Sequence, residues 1–259
     1  MPYENLIIET GEDFVASLTL NRPQQFNTFT TPLASELNQA LLELDADPRV
    51  RVILLKGAGK NFCAGIDVGE LEGKTAMEYQ QWIEHMEKPL VAIGRMKKPV
   101  IAQVQGVAAA NGAGLVAAAD LAIAADNARL GLTAINVGLN CVGPVVPVSR
   151  SVGRKVALEM LLFGDLLGAE DALAKGLVNK VVPAADLDHQ ARQWASLLAR
   201  KSPIAVQIAK RGFYEAEDMD YTKAFEHMNE LFARLCTTCD AKEGVKAFFE
   251  KRPPVWQER

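Results

Sequence analysis

Residues 99–125 constrain the fold more than any other part of the chain. The segment PVIAQVQGVAAANGAGLVAAADLAIAA contains one charged residue, Asp120, and consists mostly of small or β-branched side chains. Side chains this small fill a core only where backbones approach closely. Pro99–Gln105 reads as a strand and Gly106 turns the chain. The run through Ala119 reads as a helix of small residues, and Leu121–Ala125 reads as a further strand. An apolar strand, a helix and another apolar strand in that order point to an α/β layering.

The flanking sequence extends the pattern. Leu6–Glu9 and Val15–Leu20 are apolar runs separated by Gly11-Glu12-Asp13, which predicts a hairpin. Thr30 or Thr31 can cap a helix that has Pro32 in its first turn, with Leu33, Leu37, Ala40, Leu41 and Leu44 on one face and Asp47-Pro48 as its stop. Val50–Lys56 reads as a buried strand, and Arg129–Ile135 as one more. From about Arg154 helical patterns take over: Lys155–Phe163, Glu170–Lys175, Asp186–Lys201, a long stretch from Pro203 to Arg234, and Asp240–Lys251 before Pro253-Pro254. This divides the chain into an α/β core over residues 1–200 and a helical region over 201–259 that serves oligomerisation and covers the core as a lid.

Composition narrows the function. A net charge of −4 leaves no electrostatic footprint for nucleic acid. No apolar stretch is long enough to span a bilayer, and MPYENLIIET lacks the basic and apolar regions of a secretory signal. Four cysteines are too few to staple 259 residues, so the expectation is a reduced, cytoplasmic protein. Cys236-Thr237-Thr238-Cys239 has the CxxC spacing but lacks the second ligand pair a zinc site needs, so no metal is expected.

Two turns carry the chemistry. Lys60–Asp67 (KNFCAGID) follows a strand, and the small residues Ala64 and Gly65 let a ligand approach the backbone. Gly106–Leu115 (GVAAANGAGL) follows the next strand and opens a helix whose first N–H groups have no internal partner and whose dipole favours negative charge. The second turn contains neither Gly-Lys-Ser/Thr nor G-x-G-x-x-G, which excludes the common nucleotide loops. Donors converging from two such turns make an oxyanion hole.

Leu20-Asn21-Arg22-Pro23 with Phe26-Asn27, Phe62–Asp67, Lys98–Asp120, Gly168–Ala172 with Gly176-Leu177-Val178, and Phe248–Arg252 occur in an order that resembles the crotonase (enoyl-CoA hydratase/isomerase) superfamily. Asn136–Leu139, Val156–Met160 and the Pro-Val-Trp tail are similar to its enoyl-CoA hydratase domain-containing branch. The resemblance implies a spiral of ββα units, a homotrimer or hexamer built through the helical C-terminal part, and an acyl-coenzyme A thioester as substrate, with no cofactor beyond that coenzyme A. It implies an oxyanion hole from the amides of Ala64 and Gly112. It also implies substrate binding by Arg22, Gln25, Ile66, Asp67 and Val68, by Asn140 and Cys141 beside the acyl group, and by Lys251 reaching a phosphate.

Hydratases of this superfamily carry two glutamates, and the matching positions here hold Gly114 and Ala134. Neither residue takes a proton. The sequence therefore points to an enzyme of fatty-acid type metabolism, a lyase or isomerase acting through a thioester enolate. A decarboxylase, a hydrolase and a non-catalytic acyl-CoA-binding protein are the alternatives. Glu70, Glu72, Tyr79, Glu84, His85 and Cys141 are the remaining candidates for moving a proton.

Overall fold

A computed structural model describes residues 3–258. Strands β1 (Leu6–Thr10) and β2 (Val15–Leu20) form the expected antiparallel hairpin. Helix α1 (Thr31–Ala46) is capped by the Thr30 side chain, which accepts from the Leu33 amide, and buries the predicted leucine face. Strand β3 (Val52–Gly57) and helix α2 (Ala76–Arg95) follow. A capping box between Thr75 and Glu78 starts α2, and Pro89 sits inside it. Next come β4 (Val100–Val104), β5 (Val107–Ala109), α3 (Asn111–Ala118), β6 (Leu121–Ala125) and β7 (Arg129–Gly131). Helix α4 (Val145–Phe163), the short β8 (Leu167–Gly168), α5 (Ala169–Ala174), β9 (Lys180–Val182) and α6 (Leu187–Ala199) complete the core. Helices α7 (Pro203–Ala216), α8 (Tyr221–Cys236) and α9 (Cys239–Glu250) make up the C-terminal region.

A six-stranded sheet runs β1-β2-β3-β4-β6-β9, parallel throughout apart from the hairpin, and a second sheet runs β5-β7-β8. All five residues of β4 are buried, as are four of the five in β6. That matches strands covered on both faces. The core lies between the main sheet and helices α1–α4.

Four expectations need correction. The small-residue run is not helical from Gly106. Val107–Ala109 form a strand because the chain pairs with Cys63 on one edge and with β7 on the other. Arg129–Ile135 keeps only three strand residues before a 3-10 turn at Thr133–Val137. The helix at Lys155 begins earlier, at Val145, across a break at Gly153, where φ is 76°. The stretch from Pro203 to Arg234 is two helices, because Asp220 accepts from the Lys223 amide and starts a new one.

Two polar anchors hold this frame. Asn27 is fully buried with φ 54°, in the left-handed region that asparagine tolerates better than most residues. Its Nδ2 donates to the carbonyls of Ala58 and Asn61, both at 2.9 Å, and its Oδ1 accepts from the Arg22 amide at 2.9 Å. The loop after β2 is thereby tied to the loop after β3. Asp120, at the end of α3, accepts from Lys210 Nζ on α7 at 2.7 Å, from the Val100 amide at 2.7 Å and from Tyr214 Oη at 3.1 Å.

Asn27→Ala leaves two carbonyls and one amide unpaired in a buried place, so its expected cost is about 3–5 kcal/mol in chemical denaturation. A loss below about 1 kcal/mol would show that the two loops do not depend on it. Asp120→Ala strands the Lys210 ammonium, and its expected cost is likewise about 3–5 kcal/mol. Asp120→Ala that unfolds at the wild-type urea midpoint contradicts that reading.

Candidate active site at the opening of the small-residue helix

The turn after β3 is strapped along β5. The Phe62 amide donates to the Gln105 carbonyl at 2.9 Å, the Cys63 amide to the Val107 carbonyl at 3.1 Å, and the Ala109 amide to the Cys63 carbonyl at 2.9 Å. Approach this close requires missing side chains. A Cβ on Gly112 would overlap the Cys63 carbonyl oxygen, and one on Gly65, where φ is +102°, would stand 2.9 Å from the Ala110 Cβ. Burial pushes the Cys63 thiol up to about 12, so it stays protonated.

The two turns leave amides without partners. Past Gly65 the chain runs extended beside Phe29: the Phe29 amide donates to the Gly65 carbonyl and the Asp67 amide to the Phe29 carbonyl, each at 2.8 Å. Successive amides of an extended chain point to opposite edges, so the Ile66 N–H faces away from Phe29. It has no partner among the described residues. In α3 the first intrahelical bond runs from the Gly114 amide to the Ala110 carbonyl at 2.9 Å, so the amides of Asn111, Gly112 and Ala113 are unclaimed. Ala110, at φ 49°, lies against Gly65, so Asn111 is the opening amide next along the chain from the Gly65–Ile66 contact. The Asn111 side chain is buried, and its Nδ2 also has no partner.

Ala64 does not supply a free donor. Its amide donates to the Phe26 carbonyl at 3.1 Å, so it serves the loop instead of a ligand. The donor two residues later, Ile66, was expected only to line the site. The alternation of amide directions along an extended segment is the signal that would have singled it out. The Gly112 amide is unclaimed, but its missing side chain is explained by Cys63.

The other expected residues divide into groups. Arg22 and Asp67 come together, with Nη2 3.6 Å from Oδ2, and Arg22 also donates to the Thr28 carbonyl. Gln25 and Val68 are exposed near them in sequence without a side-chain partner. Asn140 accepts from the Cys141 amide at 2.8 Å. The Cys141 thiol is buried, held above its ordinary pKa by desolvation against a hydrogen bond with the Ala134 backbone. That places the 140–143 loop beside the 3-10 turn carrying Ala134. Lys251 ends α9 with φ 53°, and its side chain is exposed. Within one chain no contact brings it to the α3 opening.

The expected proton carriers are occupied elsewhere. Glu70 accepts from the Thr31 amide and hydroxyl and from Trp82 Nε1, as a clamp between α1 and α2. Tyr79 donates to the Leu71 carbonyl, His85 bonds Ser35 Oγ at 2.8 Å, Glu84 accepts from Gln80, and Glu72 is exposed. Cys236 and Cys239 lie on separate helices as free thiols, and the described residues contain no cluster of metal-ligating side chains.

Sequence reasoning missed Glu87. It lies half-buried on α2, four residues after Ile83 and three before Leu90, inside the apolar stripe of an amphipathic helix. A carboxylate at that spacing was the available signal. Among the described residues it has no hydrogen-bond or ion-pair partner, and desolvation, with Glu84 nearby, raises its pKa. It lines a cavity of about 700 Å³ together with Leu90, Val116, Gly143, Arg150 and Tyr214.

The fold has counterparts in known proteins. The family model described as enoyl-CoA hydratase/isomerase matches residues 10–259. The mitochondrial enoyl-CoA hydratase domain-containing protein 3 of Xenopus laevis is 36% identical over 257 residues, covering 97% of this chain and 86% of its own. The crotonyl-CoA hydratase of Syntrophomonas wolfei is 34% identical, covering 97% of each chain. The crystal structure of an enoyl-CoA hydratase from Mycobacterium smegmatis superposes with a TM-score of 0.94 at 39% identity, covering 99% of both chains. The chain is an enzyme of the enoyl-CoA hydratase/isomerase family, with the crotonase fold and a helical C-terminal region.

Proposed function

We propose that the substrate's thioester carbonyl is held between the Ile66 amide and the opening amides of α3, those of Asn111 and Gly112, and that the reaction passes through the enolate they stabilise. The observation carrying this reading is that these amides are unclaimed where Gly65 of one turn packs against Ala110 of the other. In the enolate the negative charge moves onto oxygen. Each aligned donor then contributes about 2.7–4 kcal/mol to the transition state, and the dipole of α3 adds to it. Coenzyme A enters as part of the substrate, and no other cofactor is invoked. Its nucleotide end belongs on the Arg22, Gln25, Asp67 and Val68 side, with Lys251 of a neighbouring subunit for a phosphate.

The hydratase glutamates have no equivalents at Gly114 and Ala134. A Cβ on Gly114 would stand 2.9 Å from Leu90 Cδ2 and 3.0 Å from Pro144 Cβ, so a side chain there requires both neighbours to move. Asn140 and Cys141 lie on the loop that would border the acyl group. Cys141 acts there as an apolar wall, because a thiol with a raised pKa is a poor nucleophile.

Exposed Phe225, Phe232, Phe248 and Phe249 on α8 and α9 support assembly through the C-terminal region as a trimer or a pair of trimers. Four free cysteines support a reducing compartment, with the cytoplasm as our expectation.

Ile66→Pro deletes the free amide while leaving the bonds of Gly65 and Asp67 to Phe29 in place. The expected result is a fall in kcat of about 10²–10³-fold with an almost unchanged unfolding midpoint, measured on crotonyl-CoA and on a 3-enoyl-CoA. Ala64→Pro deletes the bond to Phe26 instead, and its expected effect is on stability. Full turnover by Ile66→Pro rules out the hole. Sedimentation equilibrium is expected to give a multiple of three times the 28.1 kDa chain mass, and a monomer contradicts the assembly.

A further inference from the structure

We infer that Glu87 is the catalytic carboxylate of this site, taking and returning the proton on the carbon next to the thioester carbonyl. The inference rests on the acyl-CoA reading above and supplies the acid–base group that reading lacks.

Three observations place Glu87 there. First, α2 and α3 run side by side in the same direction. Leu90 abuts Gly114, and Gly94 and Arg95 share a cavity wall with Ala118, Ala119 and Asp120. Three residues back from Leu90 is Glu87, and three back from Gly114 is Asn111. Glu87 therefore stands level with the helix opening. Second, its carboxylate lies directly on the 140–143 loop: a Cβ on Gly143 would fall on Glu87 Oε1. The next residue, Pro144, covers the Gly114 position that carries a glutamate in hydratases. The carboxylate thus comes from α2 to the neighbourhood that α3 serves elsewhere. Third, no described residue uses it. Glu87 makes no hydrogen bond or ion pair among the described residues, although it is half-buried and lines the cavity that α2 forms with the C-terminal half of α3 and with α4. A carboxylate desolvated without a partner costs stability, and such a cost is characteristic of active sites.

The charged groups around it are accounted for. Glu84 on its own helix raises its pKa. Across the cavity, Arg150 on α4 is committed to Glu217 at 2.7 Å and to Asp218 at 3.0 Å. Asp120 is committed to Lys210. Arg95 ends α2 on the same wall.

The step balances with one carboxylate. Ionised Glu87 takes the α-proton, the C–H electron pair becomes the C=C bond of the enolate, and the carbonyl π pair moves onto the oxygen held by Ile66 and Asn111. Return of the proton to the same carbon gives exchange. Return to the γ-carbon of an unsaturated chain gives double-bond isomerisation.

The test follows deuterium entering the α-position of butyryl-CoA in D2O, with binding measured by calorimetry. Glu87→Gln is expected to slow exchange by roughly 10²-fold or more while the Kd stays within about threefold, and Glu87→Asp recovers part of the rate. The wild-type rate rises with pH as Glu87 ionises, at a midpoint above the ordinary glutamate range. Glu84→Gln moves that midpoint down. If wild type exchanges and Glu87→Gln matches it in rate and pH profile, the assignment to Glu87 is overturned while the thioester reading stands. If wild type neither binds nor exchanges, the thioester reading falls and takes this assignment with it.

Discussion

The carbonyl of Cys63 is the point on which the site turns. It accepts from the Ala109 amide and fills the volume a side chain at residue 112 would need. One oxygen thus fixes the distance between the turn after β3 and the opening of α3. That distance determines whether two sets of orphan amides can reach a single ligand oxygen. Everything upstream maintains it. The parallel pairing of β3 with β4 sets where both turns begin, and Asn27 ties in the loop that supplies Phe26 and Phe29. Phe26 consumes the Ala64 amide and Phe29 takes that of Asp67, which leaves Ile66 between them unspent. The donor is free because its neighbours are used.

Much of the frame was legible from the sequence because burial in a parallel sheet leaves a plain signature. Val52–Gly57, Val100–Val104 and Leu121–Ala125 are apolar apart from Lys56 and Gln103, and the Thr30 cap with Pro32 marks α1 almost to the residue. Strand β5 was not legible. Its three residues, Val107–Ala109, lie in an alanine-rich run that favours helix locally, and only pairing with Cys63 and with β7 makes them extended. The same limit applied at the site. Small residues marked which turns approach a ligand, but which amide is free depends on partners distant in sequence. Phe26 is 38 positions from Ala64, and nothing in the FCAGID motif encodes that bond.

Polar burial follows a division of labour. Most polar side chains close to the core are spent on structure: Lys98 donates to the carbonyls of Leu44 and Asp47, Lys210 is paired with Asp120, and Glu70 is clamped to Thr31 and Trp82. Each satisfies backbone or charge that would otherwise be stranded, which is the condition for burying such groups at tolerable cost. Among the described residues four groups depart from that rule: the Oε1 atoms of Gln103 and Gln105 at the end of β4, the Asn111 Nδ2 and the Glu87 carboxylate. The last two lie on α3 and on the helix packed against it, where a ligand would complete them.

The reaction proposed here needs an oxygen held by backbone and a proton carrier within reach of the adjacent carbon, and these requirements differ in how tightly they bind the sequence. The first is met by main chain, so it constrains residue size: Gly65 and Gly112 are dictated by Ala110 and Cys63, whatever the substrate. The second is met by a side chain, so any element bordering the same space can meet it. In this chain Leu90 and Pro144 pack against Gly114, so a side chain on α3 there requires both to move. The helix contributing Leu90 carries a carboxylate one turn earlier, and its oxygen rests on Gly143 next to Pro144. The residues that crowd the α3 position therefore neighbour the carboxylate proposed to act in its place. On the proposed reading the hole depends on how two turns pack and the acid only on what faces them, so the two can be supplied by different elements of one fold.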